Sequence, residues 1–162
     1  MSDLPNDSPK DPCPRIQGPL IRVGGPIDGC SASLRVFGDD LDPDTVTAVL
    51  GSVPTEACRK GDVTRLKVTT RVERQGKWLL RIEHRTGTTL EAVIDELLDR
   101  VTGDLSVWAD LTARFEVDLF CGLQMNEWNR GLRLSPETLK RVAERGLELG
   151  LDIYYVGEDE PG

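Results

Sequence analysis

Histidine is almost missing from this chain. His84 is the only one in 162 residues, so any general base of that type rests on a single side chain. Cysteine is sparse and badly spaced for chemistry. Cys13, Cys30, Cys58 and Cys121 form no C-x-x-C pair, and their separations suit neither a zinc centre nor a disulfide framework. Free thiols in a reducing compartment are the expectation. No apolar run is long enough to span a bilayer, and the first residues lack the basic and apolar regions of a secretory signal. A cytoplasmic location follows as an expectation. Basic clusters are also lacking, since no run of cations exceeds Arg59-Lys60 and the formal net charge is -8. Such a chain is repelled by phosphate backbones and by anionic membranes, which argues against nucleic-acid and membrane partners. It would suit a basic protein partner. Gly24-Gly25 and Gly38 complete neither a dinucleotide fingerprint nor a P-loop, and no G-x-S-x-G elbow occurs. No cofactor is expected.

The 38% of apolar residues and the three tryptophans are enough for one compact core. Six of the ten prolines fall in residues 1–30, where they remove donors and fix φ. That segment is expected to be a mobile tail in which Leu20 to Val23 can dock only briefly. A single domain should then occupy residues 31–157, followed by a short acidic tail at 158–162.

Within the domain, Leu34 to Phe37 reads as a strand. Asp42 is placed as an N-cap before Pro43, with Val46, Val49 and Leu50 on one helical face and Gly51 as the stop. Residues 64 to 84 read as one hairpin with its apolar side chains at even positions. A three-residue loop, Arg74-Gln75-Gly76, would place Val72 opposite Trp78, Thr70 opposite Leu80, Val68 opposite Ile82 and Leu66 opposite His84, with Gly76 left-handed. Thr88 and Glu91 suggest a capping box for a helix carrying Leu90, Val93, Ile94, Leu97, Leu98 and Val101 on one stripe. Residues 105–113 are ambiguous, with a helical turn around Trp108 as one reading. Alternation from Phe115 to Met125 gives a strand. Ser135-Pro136 opens a last helix with Leu139, Val142, Ala143 and Leu147 inward, closed by Gly150, and Leu151 to Val156 is the final strand.

The resulting order, β-α-β-β-α-β-α-β, predicts an α+β two-layer sandwich: a largely antiparallel sheet with its helices on one face. The first six elements are compatible with a ferredoxin-like arrangement. The other sheet face, carrying Lys67, Thr69, Arg71, Arg81 and Glu83, should be polar, which favours a monomer or a weak homodimer.

The run Leu34-Arg-Val-Phe-Gly-Asp-Asp-Leu-Asp-Pro-Asp, then Leu50-Gly51 and Arg59-Lys60-Gly61-Asp62, resembles the bacterial domain-of-unknown-function family numbered 4279. Trp78, the Leu134-Ser135-Pro136-Glu137 helix start and Leu151-Asp152-Ile153-Tyr154 fit its later portion. The resemblance spans roughly Ser33 to Val156. It implies a small bacterial cytosolic domain and transfers no catalytic residue.

Four groups of residues invite a chemical reading. Asp40, Asp42 and Asp44 have the first three spacings of a calcium loop. Thr45 and Gly51 stand where such a loop needs glycine and glutamate, so helix capping accounts for them better. His84, beside Glu83, is a weak candidate base against the reading of a strand-end residue. The loop Arg59, Lys60, Gly61 and Asp62, with Asp39, Asp40 and Trp78 near it, is the candidate ligand- or partner-binding site. The competing reading is a turn with Gly61 at positive φ. Trp128 lies in a polar loop and is expected to fold back on the core. Together these features point to a non-catalytic binding or protein-interaction module. Alternatives are an immunity-type protein neutralising a basic toxin, and a small enzyme using His84.

Overall fold

The structure, a computed structural model, describes residues 25–65 and 69–157. Along the chain the elements are β1 (Gly25–Pro26), β2 (Gly29–Gly38), α1 (Pro43–Leu50), β3 (Glu56–Cys58), β4 (Val63–Arg65), β5 (Thr70–Val72) and β6 (Gly76–Thr86). They are followed by α2 (Leu90–Asp99), α3 (Leu105–Arg114), β7 (Glu116–Met125), β8 (Arg130–Gly131), α4 (Pro136–Glu144) and β9 (Glu148–Tyr155). The main sheet has the order β3-β6-β2-β7-β9. Its first three neighbour pairs are antiparallel and β7–β9 is parallel.

Residues alternating along β2 explain the layering. Cys30, Ala32, Leu34 and Val36 are fully buried and face the helices. Across the ladders they share that face with Trp78, Leu80 and Ile82 of β6 and with Leu119, Cys121 and Leu123 of β7. The stripe Leu90, Val93, Ile94, Leu97 and Leu98 of α2 closes over them, joined by Val46 and Leu50 of α1, Trp108 of α3 and Val142 of α4 in one core. Each such side chain is worth about 1.5–3 kcal/mol when fully removed from water. The two-layer α+β sandwich with helices on one face is therefore the observed fold. Its β2-α1-β3-β6-α2-β7 portion has the strand order and directions of a split β-α-β arrangement. The β7-α4-β9 crossover adds the fifth, parallel strand.

Local chemistry sets most boundaries. Pro43 starts α1 and Gly51 stops it at φ 69. Val49, expected inward, is 40% exposed. The α2 cap is Thr89, whose hydroxyl accepts from the Ala92 N–H, not Thr88. Glu91 does not complete a capping box. It accepts instead from the Ser135 N–H and the Thr138 hydroxyl at the start of α4. The ambiguous stretch at 105–113 is a full helix because Asp104 caps it through the Ser106 N–H and Trp108 is buried, its Nε1 donating to the Thr102 carbonyl. In α4, Ser135 caps as expected, but Leu139 is 46% exposed and Ala143 is exposed as well. The turn after α4 falls at Gly146, at φ 68, and Gly150 lies inside β9.

The expected 64–84 hairpin does not form. The chain bends at Arg74 and Gln75, just after Glu73, whose N–H donates to the Asp62 carbonyl and whose own carbonyl accepts from the Gly61 N–H. This continues a small separate ladder in which β4 pairs β5, with Val63 opposite Val72 and both exposed. β6 instead pairs along its whole length with β2. The even-position alternation was thus counted across a bend. Gly76 is extended, not left-handed, and a Cβ there would meet the Gly38 carbonyl at 2.8 Å. Leu66, Lys67 and Val68 lie outside the described residues. So do 1–24 and 158–162, which hold most of the expected tails. Residues 25–30, placed in the N-terminal tail on composition, belong to the fold as β1 and the start of β2, with Cys30 fully buried.

Candidate functional site

The Arg59–Asp62 loop is a turn that closes on itself and on α1. The Asp62 carboxylate accepts from the Arg59 N–H at 2.8 Å, the Asp62 N–H donates to the Arg59 carbonyl, and Gly61 sits at φ 89. The Arg59 guanidinium donates to Asp42 and to Asp44, the latter at 2.6 Å, and Lys60 reaches Asp39. Hydrogen bonds to Asp44 and then Asp42 hold Arg59 above its ordinary pKa. Asp42 is held below the usual carboxylate range, first by the Thr45 hydroxyl and then by Arg59. The structure thus brings Asp39, Arg59, Lys60 and Asp62 together, and both cations are neutralised within the chain. Asp40 forms no ion pair with either cation and lines, with Asp42, Asp110 and Arg114, a small cleft of about 60 Å³. Trp78 does not belong to this group. It is fully buried beneath α1, with its Nε1 donating to the Thr47 hydroxyl at 3.0 Å.

His84 follows a register shift in the β2–β6 ladder between Cys30 and Ala32, which turns it away from the core face. It is exposed, and its ring lies over Gly29, where a Cβ would come within 2.0 Å of it. No carboxylate of the described residues hydrogen-bonds it. Among the described residues there is no group of three or more His, Cys, Asp or Glu placed to hold a metal ion. No helix of the described residues is long and apolar enough to cross a membrane. The three described cysteines are free thiols, and burial pushes Cys121 up to about 12.

A wider cleft of about 530 Å³ opens between β1, β8 and the start of α2. Two of its three charged side chains are committed elsewhere in the fold. Asp28, which supports the cleft wall, accepts from the Asn126 N–H at 2.8 Å and from Arg130 Nε at 3.0 Å. Glu91 is committed to α4, and hydrogen bonding to Ser135 lowers its pKa. Of the cleft's charged side chains, Arg133 alone has neither an ion pair nor a side-chain hydrogen bond among the described residues.

The strongest departure from a quiet surface is at the other edge of the sheet. β9 is eight residues long and nothing among the described residues pairs with its outer side. Leu149 packs against the core under α4, but the strand runs on past that helix. Leu151 and Ile153 share the helical face with Cys121 and Leu123, yet they are 45% and 56% exposed. Tyr154, Tyr155 and Val156 are about half exposed. In the loop after β7, Trp128 is 79% exposed and does not fold back on the core as expected. Residues 147–162 hold five acids (Glu148, Asp152, Glu158, Asp159, Glu160) and no Lys or Arg. The reading from sequence passed over this surface. Its available signal was the L-x-L-x-I-x-Y alternation inside an all-acidic stretch.

Fold and surface define a split β-α-β sandwich with an extra parallel edge strand. The model of the family described as domain of unknown function DUF4279 matches residues 28–156, and the chain belongs to that family. No curated protein and no solved structure matches it.

Proposed function

We propose that the chain is a non-catalytic protein-interaction module of the bacterial cytosol that binds its partner through the rim formed by β9 and the Trp128 loop. The observation that carries this is the half-exposed apolar side chains Leu151, Ile153, Tyr154, Tyr155 and Val156 along the edge strand and its end, together with the exposed Trp128 in the loop after β7. Contiguous exposed apolar side chains with an exposed tryptophan are typical of interaction sites. The free thiols of Cys30, Cys58 and Cys121 support a reducing location.

Tryptophan fluorescence supplies the test. Trp78 and Trp108 are fully buried, so Trp128 accounts for the quencher-accessible emission. The protein is purified from its native cytosol with and without Trp128→Ser, and each co-eluting partner is titrated back. A partner that shields Trp128 from acrylamide and is lost with Trp128→Ser supports the reading. A partner that binds the variant equally well, with Trp128 still quenched, overturns it.

A further inference from the structure

We infer that β9 accepts an extended, basic segment of a partner protein as a sixth strand of the sheet. This rests on the interaction reading and specifies its mode and its ligand chemistry. The backbone geometry comes first. The Val156 N–H donates to the Met125 carbonyl at 2.9 Å, with Tyr155 in register with Met125. In an unbroken parallel ladder, successive residues turn their N–H and C=O groups alternately to the two sides. Gly150, Asp152 and Tyr154 therefore bond β7, while Leu149, Leu151 and Ile153 point their N–H and C=O groups outward. Among the described residues no strand pairs with them, and strand addition uses such groups.

Most natural edges are blunted by lysine, proline, a bulge or shortness. β9 has no lysine and no proline, its register with β7 is continuous, and it is eight residues long. The side chains of Leu151 and Ile153 offer apolar contact on the helical face, and Asp152 faces the other way. Charge selects the occupant. Glu148 and Asp152 are the only charged residues of β9, and both are acids. An incoming strand with alternating apolar and basic residues complements both features. A second copy of this chain would set like charges together, which disfavours it.

The experiment uses the full chain and fluorescein-labelled synthetic peptides of ten residues alternating lysine and valine, followed by anisotropy at low and moderate salt. One companion peptide has glutamate in place of lysine. Another keeps the lysines but is N-methylated at alternate backbone nitrogens on one edge and, in a third version, on the other. The lysine peptide should bind at least about tenfold tighter than the glutamate peptide, weakening with salt. Methylation of one edge but not the other should cost about tenfold or more. Ile153→Pro removes an outward donor while leaving the bonds to β7, and should abolish binding with thermal unfolding still cooperative. Ile153→Thr keeps the donor and should lose much less.

If methylation at either edge is harmless and Ile153→Thr is as damaging as Ile153→Pro, strand addition is overturned while an apolar interaction surface survives. If binding is unaffected by methylation, by both Ile153 variants and by Trp128→Ser, the interaction rim falls with it. Self-association of the free chain that Ile153→Pro abolishes would make a second copy the occupant and overturn the basic partner.

Discussion

The two edges of the sheet are built on opposite plans. β3 has three residues and follows Pro54, and the chain leaves it through a loop whose cations are clamped to the start of α1. Its one strand neighbour, β6, is tied to it by Lys77, which reaches Glu56 at 2.5 Å and the buried Glu73 at 3.8 Å. Arg59, Lys60 and Asp62, the charges of the loop itself, each have a partner inside the chain. β9 has more than twice the length, exposed apolar side chains and outward backbone groups. A conspicuous cluster of charges thus marks a finished edge, and an inconspicuous strand marks an open one. The faces differ in the same way. On the sheet face opposite the helices, Arg35 donates two hydrogen bonds to Asp118 at 2.7 and 2.6 Å, and its guanidinium lies 4.2 Å from the Phe120 ring centroid. That face is also satisfied from within.

The contrast can be pressed hardest on the β3 side. Trp78→Ala should destabilise the fold by about 3–5 kcal/mol, read as a lower urea midpoint, because the residue is core and not binding surface. Acidification should weaken the same side next. Asp42 has a folded pKa below its unfolded value, so its contribution is present above about pH 4 and is lost as pH falls through the lower, folded value. Asp28, Glu91, Glu96 and Asp104 are shifted in the same direction. Thermal midpoints should therefore fall progressively on acidification below about pH 5, and the Asp42 carboxyl followed by NMR should titrate below the usual range.

Reversing both loop cations, Arg59→Glu with Lys60→Glu, should lower the thermal midpoint slightly and leave affinity for the lysine peptide at least as high. A loss of binding would move the interaction site to the β3 edge and break the contrast. The smallest effect is expected at β9 itself. Leu151→Lys should change stability by no more than about 0.5 kcal/mol, since the side chain is nearly half exposed, while reducing peptide binding.

Elements whose signals are local were legible in the sequence. Pro43 and Gly51 bounded α1, the apolar stripe of α2 identified its buried face, and Ser135-Pro136 opened α4. The family resemblance over Ser33 to Val156 agrees with the match over 28–156. What failed depended on distant partners. Period-2 alternation continues from β5 into β6, but a bend at Arg74 and Gln75 separates them, and only the competing pairing with β2 decides this. Trp78 looked available beside the Arg59 loop because nothing local shows that α1 covers it. Leu139 and Trp128 looked buried because apolarity alone does not reveal where a layer of helices ends. The openness of β9 is of the same kind, since an edge exists only once the strand order is known.

Backbone amide exchange by NMR on the full chain, free and with the lysine–valine peptide, tests the open edge most directly. The Asp152, Tyr154 and Val156 amides should be protected in both states, and those of Leu151 and Ile153 should exchange fast in the free protein and become protected with peptide. Protection of Leu151 and Ile153 in the free monomer, or fast exchange there at peptide saturation, would contradict an edge open for a partner's strand.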